Sequence, residues 1–390
     1  MTERLYYTDA YLRAFDASVV DRRDDGRRVY LDRTAFYPTS GGQPFDTGVL
    51  GGARVLEVVD EGARIAHLLE RPLAADRVAG TVDWARRFDH MQQHTGQHLL
   101  SAVIAELFGH ATASVHFGAD GSTLDLDAPA LTHQQVAAAE FRANAVVTEN
   151  REVTVSFEDA GAASGLRKAS GREGTLRIVT IHELDRSACG GTHVRATGEI
   201  GAILIGKTER VRQSVRLEFL CGMRAVRRAR GHLDLLTHLA APYSAAPEVL
   251  PALLEAQRGE LKQAAAARRE LELALDGRRA RELYERASPG LTGIRCVVVD
   301  NEPGTTMERL RGLAQAVTAL PRAAFVGTTT EPAAVLLASS EDSGVDAGRS
   351  LRAALEAVGG RGGGNPRLAQ GTAPPETLSR VVEGLVVSLR

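Results

Sequence analysis

The sequence predicts a multidomain protein of mixed α+β and α/β architecture that begins with a small β-barrel. Three observations support this prediction. A chain of 390 residues is too long for one typical core, so two or three domains are expected. Residues 1–85 contain many short strand-like runs with glycine-rich corners, which favour a barrel. Residues 289–390 alternate strand-like and helical runs, which indicate a small open α/β sheet.

The composition is typical of a soluble globular protein. Hydrophobic residues make up 44% and charged residues 25% of the chain. The net charge of −2 excludes a uniformly basic nucleic-acid coat, so RNA binding would need a local positive patch. Cys189, Cys221 and Cys296 are odd in number and far apart, which argues against a disulfide framework and for a reducing, cytoplasmic location. No signal peptide is evident, and no apolar run approaches the roughly 20 residues of a membrane span.

Residues 1–85 are predicted to form the barrel domain. Two strand-like runs, Ala17–Val20 and Arg28–Leu31, flank a charged turn at Asp21–Gly26, which is the pattern of a β-hairpin. Three more strand candidates follow the glycine-rich stretch around Gly48, and they are Arg54–Val59, Ile65–Leu69 and Val78–Val82.

Residues 86–222 are predicted to form an α+β domain. Apolar residues at helical spacing extend a first helix to about Phe108, and Thr132 can cap a second helix from His133 to about Asn150. The strand candidates of this domain are Ala113–Phe117, Ser122–Asp127, Val153–Phe157, Leu176–Ile181, Ala202–Lys207 and Ser214–Cys221. Helices together with antiparallel strands define the α+β class.

Residues 223–288 are predicted to be helical, with a break after Ala241. Four leucines fit one heptad frame, but polar residues interrupt the seam, so a helical hairpin and a modest coiled coil both fit. Residues 289–390 then form the terminal α/β domain. Its predicted strands are Ile294–Asp300, Ala323–Gly327 and Ala333–Ser339, its helices are Thr305–Leu320, Asp346–Val358 and Pro375–Arg390, and Gly359–Gly371 is predicted to be a loop.

Four residues in two distant segments offer a complete ligand set for zinc. His94 and His98 are four residues apart, so on a helix they project from one face about one turn apart. Cys189 and His193 belong to the run Cys-Gly-Gly-Thr-His, whose glycines let the backbone turn tightly around an ion. Imidazole and thiolate ligands together suit a tetrahedral Zn²⁺ ion. We therefore predict zinc as the cofactor, with a purely structural ion as the alternative.

The residues around the histidine pair narrow its interpretation. His90 precedes His94 by four residues, but helical rotation separates His90 from His98, so His90 is expected to be a bystander. A His-Glu-x-x-His peptidase is disfavoured because Thr95 stands where that chemistry needs a glutamate base. Gly96 costs the helix roughly 1 kcal/mol relative to alanine, which suggests that another group approaches the backbone there.

Three motifs occur in a fixed order along the chain. They are Asp32-Arg-Thr34-Ala-Phe-Tyr-Pro-Thr-Ser-Gly41-Gly42-Gln43, His94-Thr-Gly-Gln-His98 and Cys189-Gly-Gly-Thr-His193. Their wording, order and approximate spacing resemble the editing domain of alanyl-tRNA synthetase and its free-standing AlaX relatives. Threonyl-tRNA synthetase editing domains share the paired metal motifs, but the Ser-Gly-Gly-Gln stretch favours the alanyl side. The Gly359–Gly371 run resembles the glycine-rich signature of the DHHA1 (C-Ala) domain, although it departs from the commonest form at Asn365.

The resemblance implies an aminoacyl-tRNA deacylase that releases serine, or glycine, from mischarged tRNA(Ala) in trans. It implies that His94, His98, Cys189 and His193 bind zinc. Thr34 and Gln43 are then the candidate catalytic residues, which would meet the serine hydroxyl and the reacting ester. The candidate substrate-binding residues are Gly41, Gly42, Arg361 and Arg367. Because the sequence opens on the barrel, no aminoacylation domain is expected, as in a long-form AlaX protein. A homodimer through the helical region or the terminal domain is expected by analogy.

A tRNA-binding module with a purely structural zinc is the alternative function. Such a module would bind tRNA without hydrolysing its ester. The intact Gly41-Gly42-Gln43 stretch favours the enzyme, because a structural zinc would not require it. The Gly359–Gly371 run is not a Walker A phosphate loop, since no Gly-Lys-Ser/Thr closes it.

Overall fold

A computed structural model describes residues 1–169, 171, 173–300 and 304–389 of the chain. The chain forms two compact units, Met1–Ser244 and Ala245–Arg390. The finer domain boundaries predicted at residues 85, 222 and 288 stay predictions. Across the described ranges, no helix combines the length and the apolar character that crossing a membrane requires.

The first unit begins with the predicted β-barrel, which is confirmed. Six strands close it in the order β2-β3-β7-β6-β5-β8, and β1 pairs in parallel with β4 beside it. The strands are β1 Glu3–Arg4, β2 Ala14–Arg23, β3 Arg28–Leu31, β4 Arg33–Thr34, β5 Gly48–Leu50, β6 Ala53–Asp60, β7 Ile65–Leu69 and β8 Arg77–Val82. In β8 every second residue is buried, the alternation expected of a strand with one face inward.

A long helix, α1 (Trp84–Phe108), follows the barrel directly and carries the histidine pair. Its first turn is capped by the Asp83 side chain, which accepts the N–H of Arg86, and Gly109 ends it in a left-handed conformation. The second helix, α2 (His133–Glu149), begins with the predicted cap, because Thr132 and Gln135 form a complete capping box. Both helix predictions are confirmed.

Two antiparallel sheets complete the first unit with helix α3 (Met223–Ala240). Their strands are β9 Thr112–Phe117, β10 Ser122–Leu126, β11 Val153–Asp159, β12 Thr175–Ile181, β13 Asp185–Ala188, β14 Ile203–Val211 and β15 Ser214–Cys221. One sheet has the order β14-β15-β10-β9 and the other β11-β12-β13. Strand β13 was not predicted, because its four residues are three polar side chains followed by alanine and show no alternation.

A buried ion pair fastens the barrel domain to α1. The side chains of Arg87 and Asp46 are both 0% exposed, and Arg87 Nε lies 2.9 Å from Asp46 Oδ2. Arg87 also donates to the carbonyls of Ala10 and Ala35, and the N–H of Tyr37 donates to Asp46 at 2.6 Å. Removing one partner of such a pair leaves an uncompensated buried charge, at a cost of about 3–5 kcal/mol. The segment that ends at Asp46 is therefore held in place against the helix.

The second unit contains a 37-residue helix and a five-stranded sheet. Its elements are α4 Leu250–Arg286, β16 Arg295–Val299, α5 Met307–Thr318, β17 Ala323–Thr330, β18 Ala333–Ser339, α6 Ala347–Glu356, β19 Arg361–Gly364, β20 Leu368–Thr372 and α7 Leu378–Leu389. The sheet order is β16-β17-β18-β20-β19, and β16 with β17 is its parallel pair. The predicted hairpin or coiled coil of residues 223–288 stays a prediction, and the predicted helix end at Arg390 lies outside the described residues.

The glycine-rich run at 359–371 was predicted to be a loop, and that prediction is wrong. It contains the β19–β20 hairpin, whose second strand pairs with β18. Glycine carries no side chain that could show the alternation of a strand, so the sequence pattern gave no indication of these two strands. A Cβ on Gly364 would lie 2.1 Å from the carbonyl oxygen of Leu368, which explains the glycine there. Asn365 closes the turn, because its Oδ1 accepts the N–H groups of Arg367 and Leu368.

A neutral histidine is buried inside the barrel. His67 is 0% exposed, and its Nδ1 lies 3.2 Å from the carbonyl oxygen of Val29. Because a carbonyl only accepts, Nδ1 carries the ring proton, and Nε2 accepts the hydroxyl of Thr34 at 2.8 Å. Burial lowers the pKa of His67 from 6.5 to about 4.

The low pKa of His67 predicts an acid-sensitive barrel. Above pH 6.5 the residue is neutral in both states, so it costs nothing. Between pH 6.5 and 4 the unfolded chain binds a proton that the folded chain excludes, so stability falls as the pH falls, by about 2 kcal/mol near pH 4.5. The measurement is urea unfolding at pH 7 and 4.5, followed by fluorescence of the single tryptophan, Trp84. His67→Gln should remove this part of the pH dependence, and an identical pH dependence in both proteins would contradict the prediction.

Candidate metal centre

The fold brings His94, His98, Cys189 and His193 into one cluster. The two histidines of α1 face the segment that follows β13, and the four candidate ligand atoms all lie within 4.8 Å of one another. Cys189 Sγ is 3.3 Å from His94 Nε2 and 3.3 Å from His193 Nε2. Ligands of a tetrahedral zinc ion at its usual bond lengths are about 3.3–3.8 Å apart. The donor types therefore fit a zinc ion, and the two distances from Cys189 Sγ match its ligand spacing.

Gln43 orients the first of these histidines. Its Oε1 lies 2.8 Å from His94 Nδ1, so Nδ1 carries the proton and Nε2 is left free to bind a metal. The same oxygen accepts the N–H of Thr192 at 3.1 Å, and Nε2 of Gln43 donates to the Thr192 hydroxyl at 2.8 Å. Gln43 is 1% exposed, so its amide is fully engaged between α1 and the Cys-Gly-Gly-Thr-His segment.

A glycine turn aims Gln43 at the cluster. Gly41 and Gly42 have φ values of 56° and 85°, in the left-handed region that glycine adopts without strain. Ser40 and Gln43 exchange both main-chain hydrogen bonds across the turn, at 3.1 and 2.9 Å. This local geometry explains why Ser-Gly-Gly-Gln occurs as a unit. The turn positions a side chain that then orients a metal ligand.

An acidic residue orients the second histidine. Asp185, on β13, places its Oδ2 3.0 Å from His98 Nδ1, and its other oxygen accepts from Arg167 Nε at 2.6 Å. Burial lowers the pKa of His98, but the hydrogen bond to Asp185 and the contact with Cys189 raise it to about 9. An imidazole must lose this proton before Nε2 can bind a metal, so zinc binding at His98 releases a proton.

Thr95 supports the third histidine. Its Oγ1 lies 3.1 Å from His193 Nδ1 and accepts the N–H of Val194 at 3.1 Å. Burial lowers the pKa of His193 to about 3, so its ring is neutral near pH 7. Burial also opposes ionisation of Cys189, but its close contacts with His94 and His193 outweigh burial and hold the pKa of the thiol well below its usual range. A neutral imidazole and a thiolate are the forms that bind zinc.

Two glycines permit close approaches at the cluster. A Cβ on Gly191 would lie 2.2 Å from Cε1 of His94, so the segment that carries Cys189 can reach α1 only as glycine. A Cβ on Gly96 would lie 2.2 Å from Sγ of Cys221. The expected approach to the helix backbone at Gly96 is thus confirmed, and the approaching group is the end of β15.

A cleft of about 720 Å³ opens beside the cluster, and Gly41 is part of its wall. Three cationic side chains, Arg167, Lys168 and Arg177, line it, whereas Glu173 is the acidic residue among the described lining residues. The cleft therefore gives an anionic ligand access to three of the four candidate metal ligands, His94, His98 and Cys189.

The other predicted site residues lie outside the cluster. Thr34 is 0% exposed, and its described hydrogen bonds are with His67 and the N–H of Phe36. Its contact with a substrate hydroxyl stays a prediction, as does the contact of Gln43 with the ester. Arg361 and Arg367 are exposed on the β19–β20 hairpin of the second unit, where Arg367 pairs with Glu341, and their substrate contacts also stay predictions.

The residues that support the ligands were not predicted from the sequence. Thr95 was considered only as a missing peptidase base, and Asp185 and Arg167 were not considered. Asp185 precedes Cys189 by four residues on a short strand, a spacing with no helical meaning. Its pairing with His98 depends on how the sheet packs on α1, and no sequence pattern reports that packing.

Comparison with known proteins places this fold and site in one class. The family described as "Threonyl and Alanyl tRNA synthetase second additional domain" matches residues 176–217, the stretch that contains Cys189 and His193. The chain is thus a protein with an editing-type domain of these synthetases. The alanyl-tRNA editing protein AlaX-L of Pyrococcus horikoshii is 30% identical over 97% of this chain and 96% of its own length. The chain belongs to the alanyl-tRNA editing protein family, in its long form.

Other relatives share parts of the chain or contain it within a longer one. The alanine–tRNA ligase of Ignicoccus hospitalis is 32% identical over 98% of this chain, which spans 42% of the ligase. The alanyl-tRNA editing protein Aarsd1 of Mus musculus is 38% identical over 55% of this chain and 54% of its own length. The C-Ala domain of Aquifex aeolicus alanyl-tRNA synthetase matches 26% of this chain with 20% identity and a TM-score of 0.23.

Gly96→Ala is predicted to destabilise the first unit through one contact. The new methyl group would overlap Cys221 Sγ, and overpacking of this kind typically costs about 1–3 kcal/mol. In a Cys221→Ala background the 2.2 Å overlap is gone while the 3.3 Å contact with Ile200 remains, so Gly96→Ala should cost less there than in the native protein. A double-mutant cycle of urea unfolding, followed by Trp84 fluorescence, measures the coupling. Equal costs of Gly96→Ala in the two backgrounds would refute this explanation.

Asp185→Asn is predicted to weaken zinc binding about 10- to 100-fold, as loss of an outer partner of a metal-bound histidine typically does. The charge that orients His98 is lost, while the size of the side chain is kept. Competition with a chelator of known zinc affinity measures the change. Asp120→Asn, the same replacement at an exposed position, is the matched control. Unchanged zinc affinity in Asp185→Asn would show that Asp185 does not act on the metal ligand.

Proposed function

We propose that this protein hydrolyses the ester of mischarged tRNA(Ala), with seryl-tRNA(Ala) as the main substrate and glycyl-tRNA(Ala) as a second one. The cluster of His94, His98, Cys189 and His193 at the wall of an open, cation-lined cleft is the observation that carries the proposal. The long-form relative supports it, because that protein is named as an alanyl-tRNA editing protein and aligns with this chain over nearly its whole length.

The proposed reaction is the hydrolysis of an aminoacyl ester. Water adds to the carbonyl carbon, the bond to the ribose oxygen breaks, and that oxygen takes up a proton, so free amino acid and free tRNA result. His94, His98, Cys189 and His193 would hold a zinc ion. When bound, such an ion supplies a Lewis acid that can polarise a carbonyl or lower the pKa of a water molecule.

The protein's own groups prepare this site. Gln43, Asp185 and Thr95 hold the three imidazoles with Nε2 toward the cluster, so the ligands need no reorientation when the ion arrives. In this proposal Gln43 acts through His94 as a positioning residue. Thr34 stays the candidate for the serine hydroxyl. A site that hydrogen-bonds a hydroxyl rejects the analogue without it, which is the discrimination that removal of seryl-tRNA(Ala) needs.

Deacylation of seryl-tRNA(Ala) tests the proposal. The native protein should release serine well above the buffer rate and leave correctly charged alanyl-tRNA(Ala) largely intact. Cys189→Ala removes one of four donors, so it should lower bound zinc and reduce the rate by a factor of about 100 or more, the scale on which loss of metal-ion catalysis acts. The measurements are release of labelled amino acid and the zinc content of the purified protein.

A matched cysteine variant controls for the substitution itself. Cys296 is buried in the second unit on β16, and Cys296→Ala should keep both zinc and activity. Full activity in a zinc-free Cys189→Ala protein would refute the metal role. Binding of tRNA(Ala) by the native protein without hydrolysis of seryl- or glycyl-tRNA(Ala) would refute the deacylase and establish a tRNA-binding module with a structural metal.

A further inference from the structure

A buried cation in the wall of the cleft is not one of the candidate metal ligands. Arg177 lies on β12, is 9% exposed and lines the cleft next to Cys189. Its Nε donates to the carbonyl oxygen of Tyr7 at 3.0 Å, and its Nη1 donates to that of Cys189 at 2.7 Å. No sequence pattern points to this residue, because it is simply the one charged residue of β12.

Arg177 pairs with no carboxylate within the described part of the chain, although the Cys189 thiolate and the Tyr7 ring, whose centre is 5.6 Å from the Arg177 Cζ, lie near it. Other buried or half-buried arginines near the cluster are neutralised, Arg167 by Asp185 and Arg87 by Asp46. The two carbonyls that Arg177 contacts carry no net charge, and they use two of the five N–H donors of the guanidinium group. Burying a charge is unfavourable unless an opposite charge compensates it. Arg177 is therefore suited to bind an anion that reaches it through the cleft.

The chemistry of the substrate identifies this anion. In an aminoacyl ester the carboxyl group of the amino acid is esterified, so the amino acid brings no negative charge. The anions of an aminoacylated RNA are its phosphodiesters, and the one nearest the ester is on the 5′ side of the terminal ribose. A planar guanidinium fork suits two oxygens of one phosphate. Lys168, exposed in the same cleft, adds a second positive charge.

We propose that Arg177 binds the phosphodiester of the terminal nucleotide and so places the ester beside the metal ligands. The proposal rests on the proposed function. The guanidinium group donates to the carbonyl oxygen of Cys189, which is itself a candidate metal ligand. A phosphate bound to Arg177 would therefore lie beside the candidate metal ligands. Arg177 is therefore a binding residue for the RNA end, distinct from the groups that hold the ion.

Arg177 also supports the segment that carries Cys189, and the experiment must separate the two roles. The N–H of Cys189 donates to the carbonyl of Arg177 at 3.0 Å, in addition to the side-chain contact. A residue that only supports the segment would change zinc content and the hydrolysis of every ester together. A residue that binds phosphate would change only substrates that contain one.

The test compares two esters and two variants of the full-length, zinc-loaded protein. The first substrate is a seryl-minihelix RNA, and the second is seryl-adenosine, which has the same ester and no phosphate. Arg177→Met should lower kcat/KM for the seryl-minihelix roughly 10- to 100-fold, mainly through KM, because a charge-assisted hydrogen bond is lost. Hydrolysis of seryl-adenosine should change by less than about threefold. Arg210→Met, the same change at an exposed arginine of β14, should alter neither.

Salt dependence gives a second readout that does not need catalysis. Binding of uncharged minihelix RNA is measured by anisotropy at several salt concentrations. Loss of one phosphate contact should reduce the slope of log K against log salt by about 0.7 for a single strand. If Arg177→Met loses zinc, the same measurements are made on Arg177→Gln. The glutamine amide keeps a donor for the Cys189 carbonyl and removes the positive charge. If the native protein hydrolyses neither ester, the proposed function fails, while the binding series still tests Arg177.

The proposal is overturned by either of two results. In the first, seryl-adenosine and the seryl-minihelix lose activity equally in a variant that has kept its zinc. In the second, Arg177→Gln binds the minihelix with the native salt slope. A selective loss on the seryl-minihelix together with the smaller slope supports it.

Discussion

The geometry of the candidate metal centre depends on one buried amide. Gln43 accepts from His94 on α1 and exchanges two hydrogen bonds with Thr192, so it joins three parts of the chain that are far apart in sequence. Its own position comes from the left-handed turn at Gly41 and Gly42. A side chain that is 1% exposed and hydrogen-bonded through both amide atoms is held in one orientation, and that orientation leaves Nε2 of His94 facing the cluster.

The rest of the first unit keeps the parts of this arrangement at fixed distances. The Arg87–Asp46 pair ties the end of the glycine segment to α1, seven residues before His94. Gly96 lets β15 pack against the same helix, and Gly191 lets the cysteine segment approach the His94 ring. Each contact lies within one or two helical turns of a candidate ligand. A long, well-capped helix thus acts as a rigid platform, which is more precise than a site built on loops.

The arrangement suits an ester that arrives at the end of a polyanion. Three candidate ligands have an outer hydrogen-bond partner, so little reorganisation is needed when a metal ion and a substrate come together. The cleft gives access from one side, and its wall carries more positive than negative side chains. In the proposed function, the RNA end supplies binding energy through its phosphates. Hydrogen bonds to the small amino acid then determine separately which amino acid is accepted. This division explains how one site could reject alanine and still bind its tRNA.

The sequence by itself determined the local features. Helix α1 and its histidine pair, the Thr132 cap, the barrel and the four candidate ligands follow from periodicity, capping residues and the donor chemistry of imidazole and thiolate. The strand β13 and the β19–β20 hairpin could not be predicted from the sequence, because a short polar strand and a glycine strand show no alternation of polar and apolar side chains. Only the tertiary structure decided the partners of the ligands. The contacts of Thr95, Asp185 and Arg177 depend on side-chain directions and sheet packing across as many as 170 residues of sequence, and no local pattern encodes such contacts.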